Sequence, residues 1–177
     1  TPITAAPATT TTSAPATTTT TVPSPLFSFD GSVPAPDLVN SGTDYEAIYR
    51  SLDAYAQWIN AHHPHPAAVD EIYVEGTPLY DAAVSDMHKL LQYRYRWYRT
   101  ASVLTTVEVV GATSDLVVLR VNYAQDRTVV VRSDGGVSDD QQLPASSTRT
   151  VTLRLDEKGH WRIESSEGDA EIHLRQT

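Results

Sequence analysis

The chain has 177 residues, room for one globular domain of ordinary size and an extended segment besides. Its 13 Lys and Arg stand against 22 Asp and Glu, a net charge of −9, and every basic residue follows residue 49, so the folded part is itself acidic. That balance argues against a nucleic-acid partner, which requires clustered positive charge. The absence of cysteine excludes disulfides, thiolate chemistry and cysteine-held zinc.

Residues 1–29 carry no charged side chain, and Thr, Ala, Pro and Ser supply nearly all of residues 1–25. Such a composition cannot bury enough apolar surface to offset the entropy of ordering it. Residues 6–12 recur as residues 14–20, a low-complexity repeat that favours extended, polyproline-like backbone. The expected division is therefore a stalk or linker over residues 1–41 and a folded domain over residues 42–177. A Ser/Thr-rich stalk with Pro reads as an envelope tether, and a chain opening at Thr1 within it reads as a mature form from which a signal peptide or lipid anchor has been removed. The alternative is an intracellular tail. No run of about eighteen apolar residues is present, so membrane contact is expected only through such a removed N-terminal anchor. Leu26-Phe27-Ser28-Phe29 is an apolar patch that suits either a docking strand or a linker.

Thr43-Asp44-Tyr45-Glu46 reads as a capping box with Thr43 at the N-cap, opening a first helix. Tyr45, Ile48, Tyr49, Leu52, Tyr55, Ala56 and Ile59 then recur at helical spacing as an apolar stripe. Glu46, Arg50, Asp53, Gln57 and Asn60 are expected on the wet side, with Glu46 and Arg50 as an i, i+4 pair. The helix has to end at His62-His63, before Pro64. Pro66 starts a short second helix through Ala67, Val69, Ile72 and Tyr73, closed by Gly76. Thr77 caps a third, with Pro78 in its first turn and Tyr80, Ala83, Val84, Met87, Leu90 and Leu91 as its buried stripe.

Residues 93–99 mix Tyr, Trp and Arg and suit either a frayed helix end or an extended lead-in. Their rings and guanidinium groups can pack beneath a helix through cation-π contacts, or form a partner surface from Tyr93, Tyr95, Arg96 and Trp97. Residues 102–124 read as a hairpin joined at Gly111-Ala112-Thr113-Ser114. Val103, Val107 and Val109 alternate with Leu104, Thr106 and Glu108, and Val117, Leu119, Val121 and Tyr123 alternate with Val118, Arg120 and Asn122. Residues 128–132 form another strand, and residues 133–146 a long polar loop. Val151, Leu153 and Leu155 point inward from the next strand, Thr150, Thr152 and Arg154 outward. Glu157-Lys158-Gly159 turns the chain into a strand with Trp161 and Ile163 inward and Arg162 outward. Residues 170–174 add a last edge strand. The expected class is α+β: three N-terminal helices packed on a curved, mostly antiparallel sheet of about five to six strands.

A capped, aromatic-rich first helix, two further helices and long strands ending in Gly159-His160-Trp161-Arg162-Ile163 resemble the nuclear-transport-factor-two-like superfamily, which includes ketosteroid isomerase and SnoaL-like polyketide cyclases. The resemblance covers about residues 43–165. A Thr/Pro-rich stalk before such a domain is similar to secreted and lipid-anchored envelope proteins of high-GC Gram-positive bacteria. What the resemblance implies is a cone between helices and sheet, which in the enzymes holds an Asp or His beside a Tyr that polarises a carbonyl. Tyr45, Tyr49, Tyr80, Met87, His88, Arg120, Tyr123 and Trp161 are placed to line it. None matches a family catalytic motif, so no catalytic residue is assigned and no cofactor is expected.

His62, His63 and His65 are the densest set of metal-ligand residue types, but a helix end before two prolines supplies geometry for about two ligands. Asp134, Asp139 and Asp140 lack the spacing that surrounds a calcium ion. Both sets are expected as solvated surface, and no metal is assigned. The functional expectation is a non-catalytic extracytoplasmic binding or assembly module on a flexible stalk, taking a protein partner or a small apolar ligand, with a homodimer left open. The alternative is a small cone-fold enzyme or apolar-ligand carrier.

Overall fold

The computed structural model describes residues 33–100, 103–124, 127–142 and 145–168. The stalk repeat, the apolar patch at Leu26-Phe27-Ser28-Phe29 and the strand expected at residues 170–174 lie outside them. Helix α1 spans Tyr45–His62, a 3-10 turn Pro66–Glu71, and helix α2 Pro78–Tyr93. The strands are β1 Tyr95–Thr100, β2 Val103–Ala112, β3 Leu116–Ala124, β4 Arg127–Arg132, β5 Val137–Gln142, β6 Ser146–Leu155 and β7 Trp161–Gly168. All pairings between them are antiparallel, in a four-stranded sheet ordered β2-β3-β6-β7 and a three-stranded sheet ordered β1-β4-β5. The α+β layout is as expected, but the described residues form seven strands in two sheets where five or six in one were expected.

The additional strands come from segments whose composition hides them. The 93–99 run divides: Tyr93 ends α2, Arg94 turns the chain in the left-handed region (φ 55°, ψ 44°), and β1 begins at Tyr95. β5 lies within the expected loop because an edge strand that pairs only with β4 does not have to supply the core. Val129, Val130 and Val131 on β4 do that, so Ser138, Asp139, Asp140 and Gln141 are tolerated beside them. The β2–β3 turn falls two residues later than expected: the Thr113 amide donates to the Leu116 carbonyl at 2.7 Å and its hydroxyl accepts from the Leu116 amide at 3.1 Å. Gly111 and Ala112 are thereby free to pair with Val118 and Val117. Strict alternation also fails in β2, where the ladder skips Thr105, so that Leu104 and Val107 both pack on the core and Val103 and Val109 are exposed.

Helix starts follow side-chain oxygen. Asp44 rather than Thr43 caps α1, its Oδ1 accepting from the Ala47 amide at 3.1 Å, because Asp caps as well as Thr and Glu46 is already held by Arg50 at 2.8 Å. Arg50 also donates to the Leu104 carbonyl at 2.8 Å, tying α1 to β2. The second helix is a 3-10 turn that stops at Glu71, where the chain leaves to pair with β7: the Ile163 amide donates to the Ile72 carbonyl at 2.8 Å and the Val74 amide to the Ile163 carbonyl at 3.0 Å. Thr77 caps α2 as expected, at 3.2 Å from the Tyr80 amide. Leu91, expected inward, is exposed.

The core joins Ile48, Leu52 and Ile59 of α1 and Met87 and Leu90 of α2 to Val117, Leu119, Val121, Val151, Leu153, Trp161 and Ile163 of the larger sheet. A smaller cluster holds Ala61, Tyr98, Val129 and Val131. Residues 33–42, assigned to the linker by composition except for Gly42, are fastened to this core. Trp58 Nε1 donates to the Val33 carbonyl at 3.0 Å, Ser51 Oγ donates to the Asp37 carbonyl at 3.0 Å and accepts from the Val39 amide at 2.7 Å, and Trp161 donates through its amide to Asn40 and through Nε1 to Gly42. Among the described residues no helix is long and apolar enough to cross a membrane.

Candidate functional site

α1 carries two adjoining stripes. Ile48, Leu52 and Ile59 face the sheet; Tyr49, Asp53, Ala56, Gln57 and Asn60, about 100° around the axis, face a cavity of about 180 Å³ closed by α2, β1 and the concave face of the larger sheet. Leu79, Ala82, Ala83, Asp86 and Met87 line it from α2, Trp97 from β1, and Tyr123, Arg149, Ile163 and Ser166 from the sheet. Asp53, Gln57 and Asn60, expected on the wet side, are therefore at the cavity. A helix laid between a sheet and further elements has no wholly wet side.

One wall is a chain of hydrogen bonds. Tyr123 Oη donates to Asp53 Oδ1 at 3.0 Å, Gln57 Nε2 donates to Asp53 Oδ2 at 2.7 Å, and the Tyr49 and Tyr123 hydroxyls lie 2.8 Å apart. A phenol has one proton. That of Tyr123 goes to the carboxylate, so Tyr49 donates to Tyr123, and the order runs Tyr49 to Tyr123 to Asp53. Asp53 is 9 % exposed, and both of its oxygens have donors, as a buried polar group requires. Burial pushes the Tyr49 phenol well above its ordinary range and the Asp53 charge adds to this, while the Tyr123 hydrogen bond and the Arg149 charge oppose it. Tyr49 is thus a neutral phenol at any ordinary pH, with its O–H engaged in a hydrogen bond to Tyr123.

Arg149 lies on the concave face because it stands opposite Val121 in the β3–β6 register, in the same inward row as Val151 and Leu153. Its guanidinium carbon is 5.5 Å from the centroid of the Tyr123 ring.

Of the residues expected to line a cone, Tyr49, Met87 and Tyr123 border this cavity. Tyr45 and Trp161 pack edge to face at 5.4 Å elsewhere in the core, and Tyr80 donates to Asp70 at 2.8 Å. His88 is exposed on α2, and Arg120 is exposed on the convex face, paired with Glu108 at 3.2 Å. Both expectations are corrected by periodicity: His88 follows the buried Met87 by one helical position, and Arg120 lies between the inward Leu119 and Val121. The partner-surface set also divides. Tyr93 is exposed beside half-buried Tyr95, with ring centroids 5.7 Å apart, and Arg96 is half-buried; Trp97 belongs to the core and the cavity wall.

The histidines are engaged otherwise. His63 stacks between Trp58 and His65, at 5.4 and 5.9 Å, His62 meets the Tyr98 ring edge at 5.8 Å, and His65 Nδ1 caps the 3-10 turn. Among the described residues no three His, Asp or Glu converge as metal ligands. Asp134 caps its own turn through the Gly136 amide at 2.8 Å, and Asp140 pairs with Arg127 at 3.4 Å.

No protein-family model matches the chain, and no curated protein matches it. Solved structures do resemble it in fold. The intermembrane space region of the chloroplast protein ARC6 has 10 % identity and a TM-score of 0.49, covering 78 % of this chain and 100 % of that one. Aln2 from a Streptomyces species has 12 % identity and a TM-score of 0.47, over 74 % and 93 %. A nuclear transport factor 2 (NTF2-like) superfamily protein from Salmonella enterica serovar Typhimurium has 12 % identity and a TM-score of 0.43, over 73 % and 92 %. At these identities and scores none of them says what this chain binds or does.

Proposed function

We propose that the domain is a non-catalytic binding module, held outside the cytoplasm by its N-terminal stalk in the manner of envelope-tethered cone-fold proteins, and that its cavity takes a small molecule with an apolar body and a polar end. The observation that carries this is the cavity itself: about 180 Å³, hydrocarbon at Ala56, Leu79, Ala82, Ala83, Met87 and Ile163, with Tyr49, Asp53, Gln57, Asn60, Asp86, Arg149 and Ser166 as its polar and charged groups. An engineered cavity of about 150 Å³ takes benzene, whereas sites for drug-sized ligands run from roughly 300 to 1,000 Å³. The space suffices for one ring. The absence of a catalytic role is supported by the hydrogen-bond chain, since both Asp53 oxygens hold donors and the Tyr49 proton is committed to Tyr123. The stalk is proposed over the residues before Val33, and the folded domain from there onward.

Calorimetric titration of the full chain with benzyl alcohol tests the proposal. Saturable binding that Ala83→Phe abolishes, by filling the cavity, is the expected result; no binding, or binding untouched by Ala83→Phe in a folded variant, contradicts it. A second reading, a small enzyme acting on a carbonyl compound, is favoured by the Asp53–Tyr123 bond beside a ligand-sized space. It requires turnover, for instance solvent deuterium exchange into the α-position of cyclohexanone, that Asp53→Asn abolishes while benzyl alcohol binding persists.

A further inference from the structure

Inward positions of the larger sheet are hydrocarbon at Val117, Leu119, Val121, Val151, Leu153 and Ile163, and Arg149 is the cation set among them. Arg149 is half-buried on this face, so its guanidinium can meet an anion that enters from solvent. Among the described residues Arg149 makes no ion pair; its guanidinium lies over the Tyr123 ring. The two carboxylates on the cavity lining have partners of their own, Asp53 with Tyr123 and Gln57, and Asp86 with Lys89 at 3.0 Å. Ser166 lies on the same lining, opposite Val151 on β7, so its hydroxyl is on the Arg149 side of the cavity. The fold also makes room for this side chain. Gly168 stands opposite Arg149, and a Cβ there would fall 2.6 Å from the Thr148 carbonyl oxygen and 2.9 Å from both Cα and Cγ of Arg149.

We infer that Arg149 is the anchor for a carboxylate, and that the ligand class is small organic acids of about one ring, with the acid group at Arg149 and Ser166 and the apolar body against Met87, Ala83 and Ile163. This rests on the reading of the cavity as a ligand site. It goes further in fixing the charge of the ligand. A planar guanidinium offers two parallel N–H donors to a carboxylate, a match that neither a neutral alcohol nor an ammonium group can make.

The test is paired titration of the full chain with benzoate, benzyl alcohol and benzylamine at fixed ionic strength. Benzoate is expected to bind at least tenfold more tightly than benzyl alcohol, with benzylamine weakest. Arg149→Gln should erase the benzoate advantage over benzyl alcohol, since it removes the anchor. In the native chain the Arg149 Nε–H resonance should move on adding benzoate and stay on adding benzyl alcohol, a readout that does not depend on the variant folding. Equal binding of benzoate and benzyl alcohol leaves the cavity reading in place and overturns the acid assignment. Retention of the benzoate advantage in folded Arg149→Gln overturns it too, and failure of all three probes to bind overturns both readings.

Discussion

Tyr123→Phe is the sharpest perturbation of the hydrogen-bond chain, because it removes one oxygen that serves two neighbours. The Tyr49 hydroxyl, 4 % exposed at the residue level, loses its acceptor at 2.8 Å, and Asp53 Oδ1 loses its donor at 3.0 Å. A buried polar group left without a partner costs about 1 to 3 kcal/mol, and a bond to a charged group is worth about 1.5 to 3. The sum of roughly 3 to 6 is reduced because the cavity beside the chain has space for a water that replaces the missing oxygen, giving an expected loss of about 2 to 4 kcal/mol. Tyr49→Phe, at the end of the chain, leaves Tyr123 donating to Asp53 and should cost only about 1 kcal/mol. The assay is urea unfolding of both single variants and the double variant. The double is expected to cost hardly more than Tyr123→Phe alone, since removing Tyr123 already strands Tyr49. A Tyr49→Phe cost equal to that of Tyr123→Phe, with additive effects in the double, would refute the donor order.

Chains beginning at Val33 and at Thr43 should differ in thermal stability. The shorter one loses the bonds from Trp58, Ser51 and Trp161 to residues 33–42 and should melt several degrees lower; equal melting would mean that the segment is not fastened. Trp161→Ala should cost about 3 to 5 kcal/mol in urea unfolding, and Arg162→Ala, which breaks a half-buried pair with Asp156 at 3.2 Å, about 1. Stability should fall on the acid side. At Asp156 burial opposes ionisation, but amide bonds from His160 and Lys158 and the Arg162 charge outweigh it; at Asp134 the Gly136 amide leads, so both carboxyls titrate below their ordinary value of 3.8. A lowered folded-state value contributes stability present above the unfolded value and lost as pH falls through the folded one. The melting temperature should therefore be level between about pH 7 and 5 and drop below about 4, and Asp156→Asn should flatten that drop.

The sequence carried the elements better than it carried the site. Helix α1, the Thr77 cap and the inward rows of β3, β6 and β7 follow from periodicity and capping, which are local. β1 does not, because its pairing with β4 is supplied by the distant residues 127–132; β5 follows β4 closely but reads as a loop, because Ser138, Asp139, Asp140 and Gln141 give it no apolar row. A single apolar stripe on α1 puts Asp53 on the wet side, whereas it lines the cavity. The spacing of Tyr49, Asp53 and Gln57 at i, i+4, i+8 already marks a second stripe, polar and aromatic, that borders the first. Arg149 was legible by stepping the Val151, Leu153 alternation back by two residues, which puts a cation on the inward face. That Tyr123 bonds Asp53 across 70 residues was not legible, since it depends on how far α1 sits along the sheet.

Met87 is the one methionine of the chain, and it lies on the cavity wall. Its methyl resonance therefore reports on the proposed binding site without ambiguity. Intermolecular NOEs from the ring protons of bound benzoate to the Met87 methyl group, lost on competition with benzyl alcohol, are the result the account predicts. Saturable benzoate binding with no NOE to Met87 and no shift of its methyl resonance would contradict it.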